Sequence, residues 1–284
     1  MTRGSPGEGA PDYRDLVRQA LDEDRGRGDA TSAAVINKGQ RARGVILAKS
    51  GLVVAGLDVA AETFRQLDPA VVIEVLWADG SHVTANEPIA FVTGDANALL
   101  TAERTALNFL QRLSGIATHT RRHADAVAGT GCKILDTRKT TPGLRMLEKY
   151  AVTVGGCKNH RFGLDDGVLI KDNHIAVCGG VGAAVRQARS RASALLRIEV
   201  ECTNLAEVQE ALDARADIIL LDNMTTPQMA EAVRLVNGRA LLEASGNMSV
   251  ERVREVAETG VDFISVGALT HSAPAVDLSM AVNL

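Results

Sequence analysis

Aromatic residues are scarce: one Trp, two Tyr and five Phe make up 3% of 284 residues. That leaves little material for the base-stacking platforms of a single-stranded nucleic-acid binder. A basic excess is missing too, with 31 Lys+Arg against 35 Asp+Glu and a net charge of −4. A nucleic-acid coat or a polybasic membrane anchor needs the opposite balance. The four cysteines, Cys132, Cys157, Cys178 and Cys202, form no Cys-x-x-Cys pair and no Cys/His spacing of the zinc kind, so they read as reduced thiols. No apolar run approaches the roughly 18 residues of a membrane span, and the opening MTRGSPGEGAPDY has no apolar h-region. These absences predict a cytoplasmic protein with no nucleic-acid and no membrane partner. There is no P-loop, and Gly180-Val181-Gly182 lacks the third glycine and the preceding strand of a dinucleotide fingerprint. His160, His174 and His271 fall at irregular spacing with no partner ligand, which argues against a metal site built on them.

What is present is 46% apolar and 23% charged sequence, enough to bury a sizeable core and more than one mean-sized domain. The charge is unevenly placed. Residues 101–175 hold 12 Lys+Arg against 7 Asp+Glu, a net of +5, and the remainder carries −9. An acidic chain with a basic middle points to an anionic small molecule held in one place.

The first ten residues are rich in Gly, Pro and Ser and read as a frayed end. From Asp12, Leu16, Val17, Ala20 and Leu21 recur at helical spacing, and that helix closes near Gly28. Short β-rich runs follow at 44–49, 52–55, 71–76 and 89–92, around one helix over 58–67, which predicts a small α+β domain with an antiparallel sheet. Residues 97–128 turn helical, with Ser114-Gly115 as an expected break, and this pair reads as the domain connector. Beyond Gly131, apolar runs at 133–135, 168–170, 197–200, 218–221, 240–242 and 263–266 alternate with helical stretches at 143–154, 181–192, 205–214, 227–236 and 250–258. That alternation means parallel strands with crossover helices, and six of them favour a closed or nearly closed β/α barrel over an open sheet.

A barrel places chemistry just after the C-terminal ends of its strands. The polar clusters fall there: Asp136-Thr137-Arg138-Lys139, Lys171-Asp172-Asn173-His174, Glu199 and Glu201, Asp222-Asn223, Ser245-Gly246-Asn247, and Val266-Gly267-Ala268. Arg138, Lys139, Arg161 and Lys171 together at a barrel mouth cost desolvation energy unless an anionic ligand offsets it. Arginine suits carboxylate or phosphate bidentately and lysine acts as a point charge, so the set fits a ligand carrying both groups. Glu201 and Asp222 end adjacent strands and suit either Mg²⁺ held through water or a developing cation; the alternative is that each neutralises a nearby Lys or Arg. Glu199 shares a face with Glu201 and competes with it for one role. The Ser245–Asn247 and Val266–Ala268 loops follow the last two strands, where backbone N–H groups commonly hold phosphate in barrels. His160 adjoins Arg161 and is placed to donate to a ligand.

Taken together these motifs carry a family resemblance. LTAERTALNFLQRLSGIAT at 100–118, DTRKTTPGLR at 136–145, Asn159-His160-Arg161 with LIKDNH at 169–174, Leu221-Asp222-Asn223 and EASGN at 243–247 resemble the quinolinate phosphoribosyltransferase family (nicotinate-nucleotide pyrophosphorylase, carboxylating), nearly end to end. The resemblance implies a fold of the α/β plus α+β kind: an N-terminal open-faced α/β sandwich domain over residues 1–112, joined by the C-terminal tail 272–284, and an incomplete C-terminal β/α barrel over 113–271. It implies transfer of phosphoribosyl from 5-phosphoribosyl 1-pyrophosphate to quinolinate with decarboxylation, in a homodimer whose Arg104 reaches the partner's site. Carried over by position, Arg104, Arg138, His160, Arg161 and Lys171 would bind the pyridine dicarboxylate. Thr137, Lys139, Glu201 and Asp222 would serve the phosphoribosyl substrate, its Mg²⁺ and the ribosyl cation; Lys139, Lys171, Glu201 and Asp222 would be the catalytic set. Ser245, Gly246, Asn247, Val266, Gly267 and Ala268 would cradle a phosphate. One departure is Cys157, where many relatives carry a third glycine after Gly155-Gly156. A paralogue from molybdenum-uptake gene clusters, a silent anion-binding barrel and a nucleotide decarboxylase are the competing readings. The full basic set with Glu201 and Asp222 disfavours a silent binder, and a decarboxylase acting on a finished nucleotide would need no pyrophosphate site; the paralogue shares the fold and stays open. In the transferase the basic set offsets the repulsion of two anionic substrates, roughly 4 kcal/mol per charge pair at about 4 Å and an effective dielectric of 20.

Overall fold

Burial with a period of two runs along Arg41–Ala48: Ala42, Gly44, Ile46 and Ala48 are buried and the residues between them are not. That is the signature of a strand with one face on a core. The computed structural model describes residues 13–283, which divide into two units, one of 13–118, 142–154 and 274–283, the other of 119–141 and 155–273.

With elements numbered along the chain, the first unit holds α1 (Arg14–Arg25), α2 (Ala30–Val35), β1 (Arg41–Ala48), β2 (Leu52–Val53), α3 (Leu57–Leu67), β3 (Val72–Val75), β4 (His82–Val83), β5 (Pro88–Asp95), most of α4 (Ala96–Ala126), α5 (Arg145–Val154) and β12 (Leu278–Asn283). Its main sheet is antiparallel in the order β12-β1-β5-β3, with Val45 paired to Ala281 on one side and Phe91 on the other. The core joins Ile46, Ile89 and Val92 of that sheet to Phe64 of α3 and to Leu99, Leu107 and Leu110 of α4. The C-terminal tail is held because β12 supplies an edge partner for β1.

Two local expectations differ from the structure. Ser114-Gly115 does not interrupt the connector: α4 is one helix of 31 residues. The pair is there for packing. The Ser114 hydroxyl accepts from the Ala55 N–H at 3.0 Å and donates to the Ala55 carbonyl at 3.2 Å, and a Cβ on Gly115 would run into the Pro274 carbonyl. Helix α5, which the barrel rhythm counts as a crossover, groups with the first unit, where Glu148 takes the Arg112 guanidinium at 2.7 Å and the Tyr150 hydroxyl donates to Asp79 at 2.7 Å.

The second unit holds β6 (Lys133–Leu135), β7 (Val168–Ile170), α6 (Asp172–Cys178), α7 (Val181–Arg191), β8 (Ile198–Cys202), α8 (Leu205–Asp213), β9 (Ile218–Asp222), α9 (Thr226–Val236), β10 (Leu241–Ser245), α10 (Val250–Ala257), β11 (Phe263–Ser265) and α11 (Ala268–His271). Six parallel strands run in the order β6-β11-β10-β9-β8-β7. No ladder joins β7 to β6 among the described residues, so the barrel is incomplete, with an isolated bridge from Leu135 to Lys158 beside that gap. Along the strands Val200, Ile219, Leu221, Leu242, Ala244 and Ile264 are buried at alternate positions. The opposite rows are Glu199 and Glu201, Leu220 and Asp222, Glu243 and Ser245, and Phe263 and Ser265. Polar residues thus climb the inner face toward the strands' C-terminal ends.

Candidate active site

The C-terminal ends of the six strands surround a cavity of about 820 Å³. It is lined by Thr137, Arg138 and Lys139 after β6, His160 and Arg161 from the β6–β7 segment, Lys171 after β7, and Glu201, Asp222, Ser245 and Ser265 from the inner rows. A second cavity of about 400 Å³ adjoins it, lined by Gly246, Asn247, Val266, Gly267 and Ala268. Thr137, Lys139, Asp222, Ser245 and Ser265 line both. Every sequence-predicted site residue except Arg104 therefore falls on one of two connected spaces. Arg104 lies on α4 in the first unit and lines neither.

The basic residues are held unequally. Lys171 is tied to Glu201, Nζ to Oε1 at 2.6 Å. The Arg161 Nη1 donates to the Gly167 carbonyl at 3.0 Å. Burial first, then the neighbouring Arg138 charge, push the Arg161 guanidinium below its ordinary range, while Glu199 and Glu201 pull the other way. Arg138 carries the clearest signal of a ligand: its Nε is sealed from solvent and has no acceptor. A buried cationic donor left unpaired costs roughly 1–3 kcal/mol.

His160 is anchored on three sides. Its N–H donates to the fully buried Asp136 at 2.8 Å, its Nδ1 accepts from the Arg161 N–H at 2.7 Å, and its Nε2 lies 3.0 Å from Glu199 Oε2. Because Nδ1 is an acceptor, the ring proton sits on Nε2 and points to Glu199. Lys171-Asp172-Asn173-His174 is a helix start, not an open loop: α6 begins at Asp172, and His174 Nδ1 accepts from the Lys171 N–H at 3.0 Å.

The smaller cavity is bounded by a tight loop after β10. Gly246 has φ +99° and Asn247 has φ +49°, left-handed conformations that glycine and asparagine tolerate. A Cβ on Gly246 would collide with the Asn223 side chain. Arg252 straps this loop, donating to the Gly246 carbonyl at 3.1 Å and the Met224 carbonyl at 3.2 Å. Thr270 ties the opposite loop by donating to the Lys139 carbonyl at 2.8 Å.

Glu201 and Asp222 are the carboxylates suited to a metal here. Each already has one oxygen in a protein contact, Glu201 with Lys171 and Asp222 with Asn223 Nδ2 at 2.9 Å. Such a donor set fits Mg²⁺, which keeps several waters and takes one or two carboxylates. Sequence reasoning missed Arg252, Thr270 and Glu243. The signal for Glu243 was the strand period, which puts it on the same inner row as Ser245.

Two family models cover the chain: "Quinolinate phosphoribosyl transferase, N-terminal domain" matches residues 29–114 and "Quinolinate phosphoribosyl transferase, C-terminal domain" matches 116–281. A "probable nicotinate-nucleotide pyrophosphorylase [carboxylating]" of Synechocystis sp. is 47% identical over 94% of this chain and 91% of its own. One of the same description from Bacillus subtilis is 45% identical over 95% and 93%. The crystal structure of NadC from Streptococcus pyogenes superposes with a TM-score of 0.94 at 40% identity, covering 98% of this chain and 99% of that one.

Proposed function

The chain belongs to the quinolinate phosphoribosyltransferase family, and from that premise we propose how its barrel mouth carries the activity. The enzyme transfers phosphoribosyl from 5-phosphoribosyl 1-pyrophosphate to quinolinate with decarboxylation, giving nicotinate mononucleotide, pyrophosphate and CO₂ in NAD biosynthesis. The observation that carries the site is the unpaired, buried Nε of Arg138 beside the desolvated Arg161.

The dicarboxylate occupies the larger cavity, with its carboxylates on Arg138, Arg161 and Lys171 and with His160 fixing the Arg161 backbone. The 5-phosphate sits in the nest of Ser245, Gly246 and Asn247 facing Val266, Gly267 and Ala268. The ribose C1 then lies at the shared wall, where Thr137, Lys139 and Asp222 line both spaces. As pyrophosphate leaves, Asp222 and Glu201 stabilise the oxocarbenium charge and Lys139 the departing anion. Glu201 and Asp222 would hold Mg²⁺, which when bound would neutralise charge on the pyrophosphate. Attack by the ring nitrogen makes it cationic. That charge stabilises the electron pair left on C2 when the adjacent carboxylate departs as CO₂, and a proton taken up at C2 completes the product. Arg104 completes the dicarboxylate site from the partner subunit of a cytoplasmic homodimer. Among the described residues no helix is long and apolar enough to cross a membrane.

The test is an assay of the purified protein with quinolinate, 5-phosphoribosyl 1-pyrophosphate and Mg²⁺, with nicotinate substituted in parallel. Nicotinate mononucleotide should form from quinolinate only. Use of nicotinate with quinolinate ignored would refute the substrate assignment.

A further inference from the structure

Below the reacting ends of the strands, the inner face carries two acidic side chains whose place in the reaction is unassigned. Glu199 and Glu243 are buried to 6% and 2% side-chain exposure, and both face the His160 Nε2, at 3.0 Å and 3.6 Å. Glu243 lines the mouth cavity and also a separate cavity of about 500 Å³ that Glu199 shares, on the side of the strand starts Lys133, Val168, Ile218 and Phe263. His160, Arg161 and Glu243 line both spaces, and Glu199 lines the rear one.

We propose that Glu199 and Glu243 are positioning residues: a buried carboxyl pair that clamps the His160 imidazole and thereby fixes the peptide presenting Arg161 to the quinolinate carboxylate. The inference rests on the reading of Arg161 as a dicarboxylate contact. The Glu199 carboxylate accepts the Nε2 proton, Nδ1 accepts the Arg161 N–H, and the Asp136 carboxylate accepts the His160 N–H, so this peptide has its donors committed on both sides of the ring.

Two ionised carboxylates cannot share such a site. The Oε1 atoms of both are buried and without a hydrogen-bond partner, which is costly for a dianionic pair. Burial first, then the Glu199 charge, raise the Glu243 acid well above the carboxylate range, with His160 and Ser265 opposing. The Glu243 carboxyl therefore resists ionisation. Facing it are His160 and Glu199; Arg161, Lys133, Lys158, Asp166 and Arg197 line the same rear space. The ligand atoms of His160, Glu199 and Glu243 all lie within 4.8 Å of one another, the composition of a metal site. The tautomer speaks against one, because the Nε2 lone pair a metal would need is occupied by a proton while Nδ1 accepts from Arg161.

Steady-state kinetics of the full-length enzyme between pH 6 and 9 tests this with Glu243→Gln, Glu243→Ala and Glu199→Ala. In the wild type, the quinolinate KM is expected to climb at the alkaline end as Glu243 ionises, with the phosphoribosyl pyrophosphate KM flat. Glu243→Gln, neutral at every pH, should remove that climb. Glu243→Ala should raise the quinolinate KM by about tenfold or more while leaving the other KM within about twofold, since a misplacement of about 1 Å in a binding group has effects of that order. Should Glu243→Ala fail to fold, Glu199→Ala is read the same way. Equal rises in both KM values, or an alkaline limb unchanged in Glu243→Gln, would overturn the positioning role. So would one equivalent of tightly held metal that Glu243→Gln loses. A wild type inert toward quinolinate would instead refute the functional reading.

Discussion

Replacing Arg138 by methionine should make the unliganded enzyme more stable and nearly inactive. In the unliganded site the Arg138 Nε is buried without an acceptor, and the Arg138 charge pushes on Arg161. Methionine keeps much of the stem's packing and removes both penalties. Relief of one unsatisfied charged donor is worth roughly 1–3 kcal/mol, or an upward Tm shift of about 2–8 °C for a chain of this size. The same change deletes a bidentate contact to a substrate carboxylate, about 3–4 kcal/mol of charge-assisted bonding and a hundred- to thousandfold loss in kcat/KM for quinolinate. Thermal melts with and without quinolinate separate the two effects. Ligand at about 100 times its Kd stabilises the wild type by roughly 2.7 kcal/mol, and the variant should show little of this. A fall in Tm for the unliganded variant, or an unchanged quinolinate response, would refute the reasoning that this arginine is held unpaired for an anion.

The phosphate nest gives a complementary test. Gly246→Ala puts a Cβ at φ +99° against the Asn223 side chain, so the phosphoribosyl pyrophosphate KM should rise about tenfold or more while the quinolinate KM stays within about twofold; a change confined to quinolinate would contradict the division of the two cavities. The thiols of Cys132, Cys157 and Cys202 are each pushed up to about 12 by burial, so a thiol reagent at pH 8 should titrate at most the half-buried Cys178 quickly and all four cysteines after denaturation. Three fast thiols in the native enzyme would show those sites to be open. Arg104→Ala and Asp222→Ala subunits should each be inactive alone and recover activity when mixed, because one hybrid site is intact. No recovery in verified heterodimers would remove Arg104 from the partner's site.

The barrel was legible because parallel strands covered on both faces read as short apolar runs, and because Arg138, Lys171, Asp222 and Gly246 all follow such runs directly. What escaped was decided by contacts that only the folded chain makes. Ser114-Gly115 looks like a helix break by local chemistry, yet it packs as helix against the Ala55 backbone, with Pro274 in close approach. Lys171-Asp172-Asn173-His174 reads as a polar cluster after a strand, but a His174 ring nitrogen captures the Lys171 N–H at a helix start. Arg252 carries no motif of its own and emerges from its reach back to Gly246 and Met224; Glu243 opens the EASGN run, but its place beside His160 emerges only from strand register. The His160 tautomer, which turns its proton away from Arg161, is invisible without the geometry of the Arg161 N–H.

Decarboxylation follows transfer of phosphoribosyl at this one mouth. Quinolinate labelled in its C2 carboxylate, incubated with the enzyme and Mg²⁺, tests it most directly. No labelled CO₂ should appear until 5-phosphoribosyl 1-pyrophosphate is added, and then one CO₂ should be released for each nicotinate mononucleotide formed. Release of CO₂ without the phosphoribosyl donor, or nucleotide formed without release of CO₂, would refute this order of steps.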